Sequence, residues 1–391
     1  MRPAVLALVC AFLGAVAAIG IGRATGLVGA DTTKTVIVRE QASAPNAPAA
    51  SLRTVAPILA PGFSPAAIFA RRSPGVVTVF SYFGGTAAQG SGFVVSSSGA
   101  ILTNAHVITN AGETNGAVRS ASSVYVEFSD HDRVPARIVG WDVFDDVGVL
   151  RVAPSAHALV PVPLGRSASV VVGEPVAAIG SPLGNLDTLA VGIVSAVHRS
   201  IAALTNPRFQ LSDAIQTDAP IAHGSSGGPL LDARGRAIGI TAQIRTDQGG
   251  AVGIGFAVPI DSARRSLQAL LTKGTIRYAY AGVQTEDLTP SLARHLQLPV
   301  RHGALVDTVS AGGPAAAAGL HGGTREEQFQ GETVTVGGDV IVAVDGRPVV
   351  DAADLVRIVT TLRPGQTTVF SVLRASGRRT IAVTLAARSP R

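Results

Sequence analysis

Cysteine is almost absent from this chain. Among 391 residues there is one, Cys10, so no intrachain disulfide can form and the redox compartment cannot be read from pairing. Aromatic residues make up only 4% of the sequence, which leaves the cores to Val, Ile, Leu and Ala. Lysine is nearly missing as well: of 32 basic residues, only Lys34 and Lys273 are not arginine. The arginines are spread without runs and no aromatics interleave with them. A net charge of +6 therefore does not describe a nucleic-acid surface, and no nucleic-acid partner is expected. His131, His157, His198, His295, His302 and His321 have no cysteine or second histidine at ligand spacing, so no metal site is expected. P-loop and dinucleotide fingerprints are lacking too, since Gly253-x-Gly255 has no third glycine, and no cofactor is implied.

Glycine, with 44 residues, and apolar side chains, at 47%, are what the sequence has in abundance. A chain of this length can bury the cores of two or three domains. The stretch Pro3–Gly22 carries no charge and is long enough to span a bilayer as one helix. Arg2 and Arg23 flank it, so charge alone does not orient it. Residues 1–25 read as an uncleaved membrane anchor, or as a signal peptide cut near Val28-Gly29-Ala30; either exports the body of the protein. Residues 26–63, with Ala, Pro and Ser prominent from 40 onward, read as a linker.

From Ser64 to Lys273, short apolar runs punctuated by Gly, Asp-Arg or Pro recur: Val76–Phe83, Gly92–Leu102, Ser123–Phe128, Ala136–Val139 and Val147–Val152. They continue as Pro175–Ile179, Ala190–Val197, Ala214–Gln216, Ala237–Gln243 and Ala251–Val258. Strands at this spacing predict barrels. The stretch Pro259–Leu271 places Ile260, Ala263, Leu267, Leu270 and Leu271 on one helical stripe, with Asp261 in the first turn and a stop at Lys273-Gly274.

Residues 223–230 read His-Gly-Ser-Ser-Gly-Gly-Pro-Leu. A serine among such small neighbours can sit on a sharp turn where backbone N–H groups converge, as stabilising a tetrahedral oxyanion requires. Ser226 is the candidate nucleophile. Upstream, Thr103-Asn104-Ala105-His106 follows an apolar run, and Asp145-Asp146 precedes another, which gives the order His, Asp, Ser. Gly224-Ser225-Ser226-Gly227-Gly228 also satisfies the G-x-S-x-G elbow of α/β-hydrolases, which would need a helix after the serine and a histidine downstream. The following residues, Pro229–Leu231, Asp232-Ala233-Arg234-Gly235 and Ala237–Ala242, read instead as strand, turn and strand.

Together, Thr103-Asn104-Ala105-His106-Val107, Asp146-Val147-Gly148-Val149-Leu150, Gly192-Ile193-Val194-Ser195, Ile215–Ala219, Gly224–Leu230 and Gly253–Pro259 resemble the HtrA/Deg family of trypsin-like serine proteases. The likeness extends over roughly residues 64–390. It implies a mostly β fold: a chymotrypsin-like double β-barrel over 64–275, then a PDZ domain over 276–391. It implies His106 as general base, Asp146 as its orienting partner with Asp145 the competing carboxylate, and Ser226 as nucleophile. The oxyanion hole falls on Gly224, Ser225 and Ser226, with the N–H groups of Gly224 and Ser226 as donors. Two residues depart from the family pattern: His223 stands where proline is usual and Ser225 where asparagine is usual. The acidic specificity position of trypsin falls on Pro220, so cleavage after small or medium aliphatic residues is expected.

Beyond Tyr280, Gly338–Gly346 resembles the core strand and turn of a PDZ domain, and Asp351–Val359 reads as an N-capped amphipathic helix. By that resemblance Tyr280, Ala281, Gly282 and Val283 form the carboxylate-binding loop, and Leu355 to Leu362 line a groove that takes a peptide C-terminus as an added strand. Core packing is the competing role for Leu355, Ile358, Val359 and Leu362. The polar insertion His321–Val336 reads as a surface hairpin or loop. The implied function is an exported serine endopeptidase acting on misfolded or selected extracytoplasmic proteins, assembled as a homotrimer and tethered to the membrane by its N-terminal segment. The alternative is a chaperone-like or PDZ-based binding protein whose protease site is distorted at rest.

Overall fold

Alternating side chains close two barrels. The computed structural model describes residues 62–111, 117–181, 188–202, 210–222, 224–242, 254–374 and 376–388. The apolar segment at 1–25, all but the last two residues of the 26–63 linker, and His223 lie outside the described residues. Among the described residues no helix is long and apolar enough to cross a membrane.

A first helix, α1 (Pro65–Arg72), starts where the Ser64 hydroxyl accepts the Ala67 N–H at 3.4 Å and Pro65 supplies a pre-set φ. Next come β1 (Val76–Tyr82), β2 (Ala87–Val94), β3 (Ala100–Thr103), the single turn α2 (Ala105–Ile108), β4 (Ser123–Glu127), β5 (Arg133–Asp142) and β6 (Val147–Arg151). These strands close a barrel in the order β1-β2-β3-β6-β5-β4, with β1 paired to β4. In β4 the pattern is strict: Val124 and Val126 face inward while Ser123 and Tyr125 face out. The run Gly92–Leu102 is two strands rather than one. Gly99, at φ +90°, turns the chain between β2 and β3, and a Cβ there would lie 2.1 Å from the Val152 carbonyl.

The second barrel takes β7 (Pro175–Gly180), β8 (Thr188–Ala202), β9 (Gln210–Thr217), β10 (Pro229–Leu231), β11 (Ala237–Ala242) and β12 (Gly255–Pro259) in the order β10-β11-β12-β9-β8-β7. Strand β10 follows the Ser226 turn directly, so the α/β-hydrolase elbow is excluded. Between the barrels, Phe93, Leu102 and Val149 of the first share a buried cluster with Ala177, Ile179, Leu231, Ile240 and Val258 of the second. Each large side chain fully buried there contributes about 1.5–3 kcal/mol, so the seam behind the cleft is a continuous core. Helix α3 (Ile260–Lys273) closes this region. Pro259 ends β12 and stands at the N-cap, and Gly274, at φ +68°, ends the helix by donating its N–H to Leu270 O.

The C-terminal part holds β13 (Ala279–Tyr280), β14 (Val283–Asp287), α4 (Pro290–His295), β15 (Ala304–Val309), α5 (Pro314–Ala318), β16 (Arg325–Phe329), β17 (Glu332–Val336) and β18 (Val340–Val344). It ends with β19 (Arg347–Pro348), α6 (Ala352–Thr361), β20 (Thr367–Arg374), β21 (Gly377–Thr384) and β22 (Ala386–Ala387). Strands β14-β15-β18-β20-β21 form its sheet, and β13 pairs with β22. The Asp351 carboxylate caps α6 by accepting the Asp354 N–H at 2.7 Å. Leu355, Ile358 and Val359 pack with Phe370, Val372 and Val383, so these three helix residues are core. The 321–336 insertion contains the hairpin β16–β17, whose Val334 and Val336 pack with Leu288 and Leu292.

Candidate active site

Strand β3 delivers His106 to the cleft: its last residue is Thr103, Asn104 takes an extended backbone, and α2 turns His106 toward the loop between β5 and β6. There His106 Nδ1 lies 2.8 Å from Asp146 Oδ2, and the His106 backbone N–H donates to Asp146 Oδ1 at 3.0 Å. One carboxylate thus fixes both the ring and the backbone of the histidine. Asp146 sits at φ +49°, a left-handed conformation that Asp tolerates better than most residues. The Asn104 side-chain amide donates to the Asp146 carbonyl at 2.8 Å and holds it there. Burial disfavours the imidazolium of His106, but the charge of Asp146 and its hydrogen bond outweigh burial, so the ring stays protonated to higher pH than usual. Asp145 faces the opposite way: its carboxylate lies 2.8 Å from Tyr278 Oη. Of the two adjacent carboxylates, Asp146 is the one brought to His106.

The Ser226 turn is set by small residues and buried hydroxyls. Gly224 and Gly227 both have φ +94°, open to glycine and strained for other residues. Ser91, in the middle of β2 and fully buried, donates its hydroxyl to Gly224 O at 2.6 Å and its backbone N–H to Ser226 O at 2.7 Å. The same hydroxyl accepts the Ser181 N–H at 2.9 Å. Thr241 donates to Ser225 O at 2.6 Å, and Thr103 donates to Ser91 O at 2.6 Å. Each of these buried bonds contributes about 1 kcal/mol net and would cost more if left unmade. A Cβ on Gly90 would lie 2.7 Å from the Val107 methyls and 3.0 Å from Ser226 O, so the residue after His106 and the backbone of Ser226 press on one glycine. Ser226 itself is 6% exposed.

Ser225, expected as part of the oxyanion hole but not as a donor, has its N–H engaged with Ala222 O at 3.0 Å. Its side chain faces the protein interior and its carbonyl takes the Thr241 hydroxyl, so its part is to shape the turn. Sequence reasoning missed Ser91 and Thr241. Gly90-Ser91-Gly92 inside an apolar strand was the available signal: a hydroxyl flanked by residues small enough to admit another chain segment. The segment Ala219–Ala222, which holds Pro220, contains no carboxylate, and the nearby Asp218 is turned to β8, where it accepts the Ile193 N–H at 2.6 Å.

The chain that carries these two constellations, a histidine–aspartate pair on the first barrel and a glycine-framed serine on the second, is similar to known proteins. The trypsin-like peptidase domain family matches residues 90–240 and the PDZ domain family matches residues 279–385. HhoA of Synechocystis is 38% identical over 305 residues, covering 76% of this chain and 70% of the relative. The chain belongs to the HtrA/Deg family of serine proteases. The chloroplastic protease Do-like 1 of Arabidopsis thaliana is 37% identical over 76% of this chain and 63% of its own length. A DegP-like periplasmic serine endoprotease of Pseudomonas fulva is 37% identical over 75% of this chain, which spans 55% of that relative. Among solved structures, the HtrA-type protease AlgW with tripeptide superposes with a TM-score of 0.69 at 33% identity, covering 84% of this chain and 98% of AlgW.

In the PDZ domain of this HtrA-family chain, Tyr280, Ala281, Gly282 and Val283 form the turn between β13 and β14, with Gly282 at φ +81°. The Ala281 carbonyl accepts the Ala315 N–H at 2.8 Å and the Gly282 carbonyl accepts the Ser310 N–H at 2.9 Å. The loop's acceptors are thus directed into the domain, and Tyr280 Oη lies 2.9 Å from Ser310 Oγ.

Proposed function

We propose that this HtrA/Deg-family chain is a serine endopeptidase in which Ser226 attacks the substrate carbonyl, His106 takes its proton, and Asp146 orients and stabilises the resulting imidazolium. The contact between His106 Nδ1 and Asp146 Oδ2, at 2.8 Å, carries this reading. It assigns the Nδ1 proton to the Asp146 side and leaves Nε2 to accept the hydroxyl proton. Attack gives a tetrahedral oxyanion that the N–H groups of Gly224 and Ser226 receive; His106 then protonates the departing amine, and water releases the acyl group by the same route. A formed histidine–aspartate pair is not what the distorted, chaperone-like reading expects, so the enzymatic one is preferred. With Pro220 at the acidic specificity position of trypsin and no carboxylate in 219–222, substrates are cut after small or medium aliphatic residues.

The protease part spans 64–275 and the PDZ part 276–391 in this reading. The PDZ loop Tyr280–Val283 receives the C-termini of unfolded or misfolded polypeptides. Periplasmic and chloroplastic relatives support an extracytoplasmic location, and the charge-free stretch Pro3–Gly22 supports export and tethering through residues 1–25. Assembly as a homotrimer rests on family likeness, and sedimentation as a monomer at working concentration counts against it. The decisive experiment is labelling with a fluorophosphonate, with Ser226→Ala beside it. Labelling that disappears in the variant supports the site; labelling that persists sinks Ser226 as nucleophile.

A further inference from the structure

Behind the turn that carries Asp146, two carboxyl groups share one phenol. Tyr278 lies between α3 and β13 and is 3% exposed. Its Oη is 2.5 Å from Asp142 Oδ2 and 2.8 Å from Asp145 Oδ2. A tyrosyl hydroxyl has one proton to donate, and an ionised carboxylate has none. Both short contacts are hydrogen bonds only when the trio holds two protons. The phenol keeps its own, because burial and the two neighbouring carboxyls push its ionisation far up.

Donor counting places the second proton. Asp142 Oδ2 also accepts the Ser266 hydroxyl at 2.6 Å, and its Oδ1 accepts the backbone N–H groups of Phe144 at 3.0 Å and Asp145 at 3.4 Å. Asp142 is therefore served as an anion, although burial pushes its carboxyl upward. Asp145 has far less: Arg265 Nη2, also bonded to Ser262, stands 3.7 Å away. The arrangement that satisfies every contact is Asp145 O–H donating to Tyr278 Oη, and Tyr278 O–H donating to Asp142.

We propose that Tyr278 is a positioning residue for the hydrolytic reaction, tying Asp142 to a protonated Asp145 and so holding the 142–146 turn that aims Asp146 at His106. The inference rests on the assignment of His106, Asp146 and Ser226 given above. Asp142 is the last residue of β5 and Val147 the first of β6, so the bridged residues and Asp146 lie within one tight loop. The clasp has a second layer. The Phe144 ring packs edge-on to Tyr278 at 5.5 Å between centroids, the Arg388 guanidinium covers Phe144 at 4.5 Å, and the Arg388 N–H donates to Tyr278 O at 2.8 Å.

The arrangement has a proton dependence. Burial first, then the charge of Asp142, push the Asp145 carboxyl up to about 7; Arg265 and Tyr278 act in the opposite sense. Asp213, which lies 2.6 Å from His198 Nδ1, adds to the upward push. Above that pH, two charges face each other across one phenol and the loop loosens.

The test measures fluorophosphonate labelling of the full chain as a function of pH for wild type, Asp145→Asn, Tyr278→Phe and Ser226→Ala. The wild-type rate rises as His106 loses its proton, then falls several-fold above about pH 7 as the shared proton leaves. Asp145→Asn, whose amide N–H replaces the carboxyl proton, keeps the rise and loses the fall. Tyr278→Phe lowers the maximal rate by about tenfold without changing the probe concentration for half-saturation. Superimposable wild-type and Asp145→Asn profiles above neutrality, or a Tyr278→Phe maximum equal to wild type, overturn the proposal. Should Tyr278→Phe not fold, the Asp145→Asn profile decides alone. Labelling of Ser226→Ala would count against the nucleophile instead, so the two failures are separable.

Discussion

Two turns in this chain each place glycine at positive φ, in very different surroundings. At 224–228, Gly227 combines φ +94° with no space at all: a Cβ would lie 2.0 Å from Ser91 O and 2.5 Å from Thr103 Oγ1. At 280–283, Gly282 has φ +81°, but the nearest atom to a Cβ would be Pro314 Cδ at 3.3 Å. The first turn needs glycine for two independent reasons and the second for one. The first is also locked by buried hydroxyls from three strands, Ser91, Thr103 and Thr241, whereas the second is held by two main-chain bonds to neighbouring residues. A turn proposed to stabilise a transient oxyanion must stand ready before the charge appears. One that docks a peptide end can settle as the ligand arrives.

The largest test separates chemistry from architecture within the first turn. Ser226→Ala removes only the hydroxyl, so labelling and casein hydrolysis fall by about 10⁴-fold or more, while the melting temperature changes little. Gly227→Ala should do the reverse in kind: the left-handed backbone costs about 1–2 kcal/mol and the overpacking about 1–3 kcal/mol more. Thermal unfolding should move down clearly, and labelling should be lost with it. A Gly227→Ala protein that melts like wild type would show that the turn has slack after all.

Much of this was legible in the sequence, for reasons that differ by residue. His106 and Ser226 announce themselves because each sits at the junction of an apolar run and a motif of small residues, and the barrel strands because their alternation is local. Which of Asp145 and Asp146 meets His106 was readable only by family likeness, since both precede the same strand. Ser91 was only half legible: Gly90-Ser91-Gly92 marks a place where another segment can approach, but the partner, Gly224, lies 133 residues away. Tyr278 was hidden for the same reason, its partners Asp142 and Asp145 lying 136 and 133 residues away. The split of Gly92–Leu102 into β2 and β3 shows the converse error, in which a glycine turn inside an apolar stretch was read as continuous strand.

A test of intermediate size uses pH to probe the histidine and carboxyl groups that face the first turn's proposed chemistry. The proposed base must be neutral, and Asp146 holds the His106 ring protonated above its ordinary value of 6.5. Labelling should therefore rise about tenfold per pH unit below a midpoint above 6.5. Stability should run the other way. A histidine whose folded pKa is raised contributes stability that is complete below its unfolded pKa and is lost as pH rises through the folded one. Asp145, raised to about 7, has the same sign, because the folded state holds its proton longer than the unfolded chain does. Melting temperatures that fall as pH rises from about 4 to 7, the span over which Asp145 ionises in the unfolded chain before the folded one, and fall further above 6.5 as the unfolded histidine loses its proton first, while the low-pH limb of labelling rises, would bear out both signs. In Asp146→Asn the midpoint of that limb should drop toward the ordinary histidine value, on top of a large loss of rate.

The smallest effect is expected at the second turn, and it is the one that sharpens the contrast. In Gly282→Ala the new methyl meets only Pro314 Cδ at 3.3 Å, Tyr280 Cε1 at 3.5 Å and Gly313 Cα at 3.6 Å, contacts that small shifts relieve. The remaining cost is the left-handed backbone, about 1–2 kcal/mol. The loop can escape it by rotating the Gly282 peptide, which breaks the bond from Ser310 N–H to Gly282 O and re-aims the neighbouring N–H groups. Because α6, β18 and β20 supply most of the domain's core and the loop adds only the small side chain of Ala281 and the flank of Val283, melting should fall only slightly. Affinity for a hydrophobic C-terminal peptide, measured by calorimetry, should weaken by about tenfold, which corresponds to the same ~1.4 kcal/mol. Labelling without peptide should match wild type. Unchanged peptide affinity would mean that the Tyr280–Val283 turn does not hold the carboxylate, and the two turns would then share a left-handed glycine without sharing a purpose.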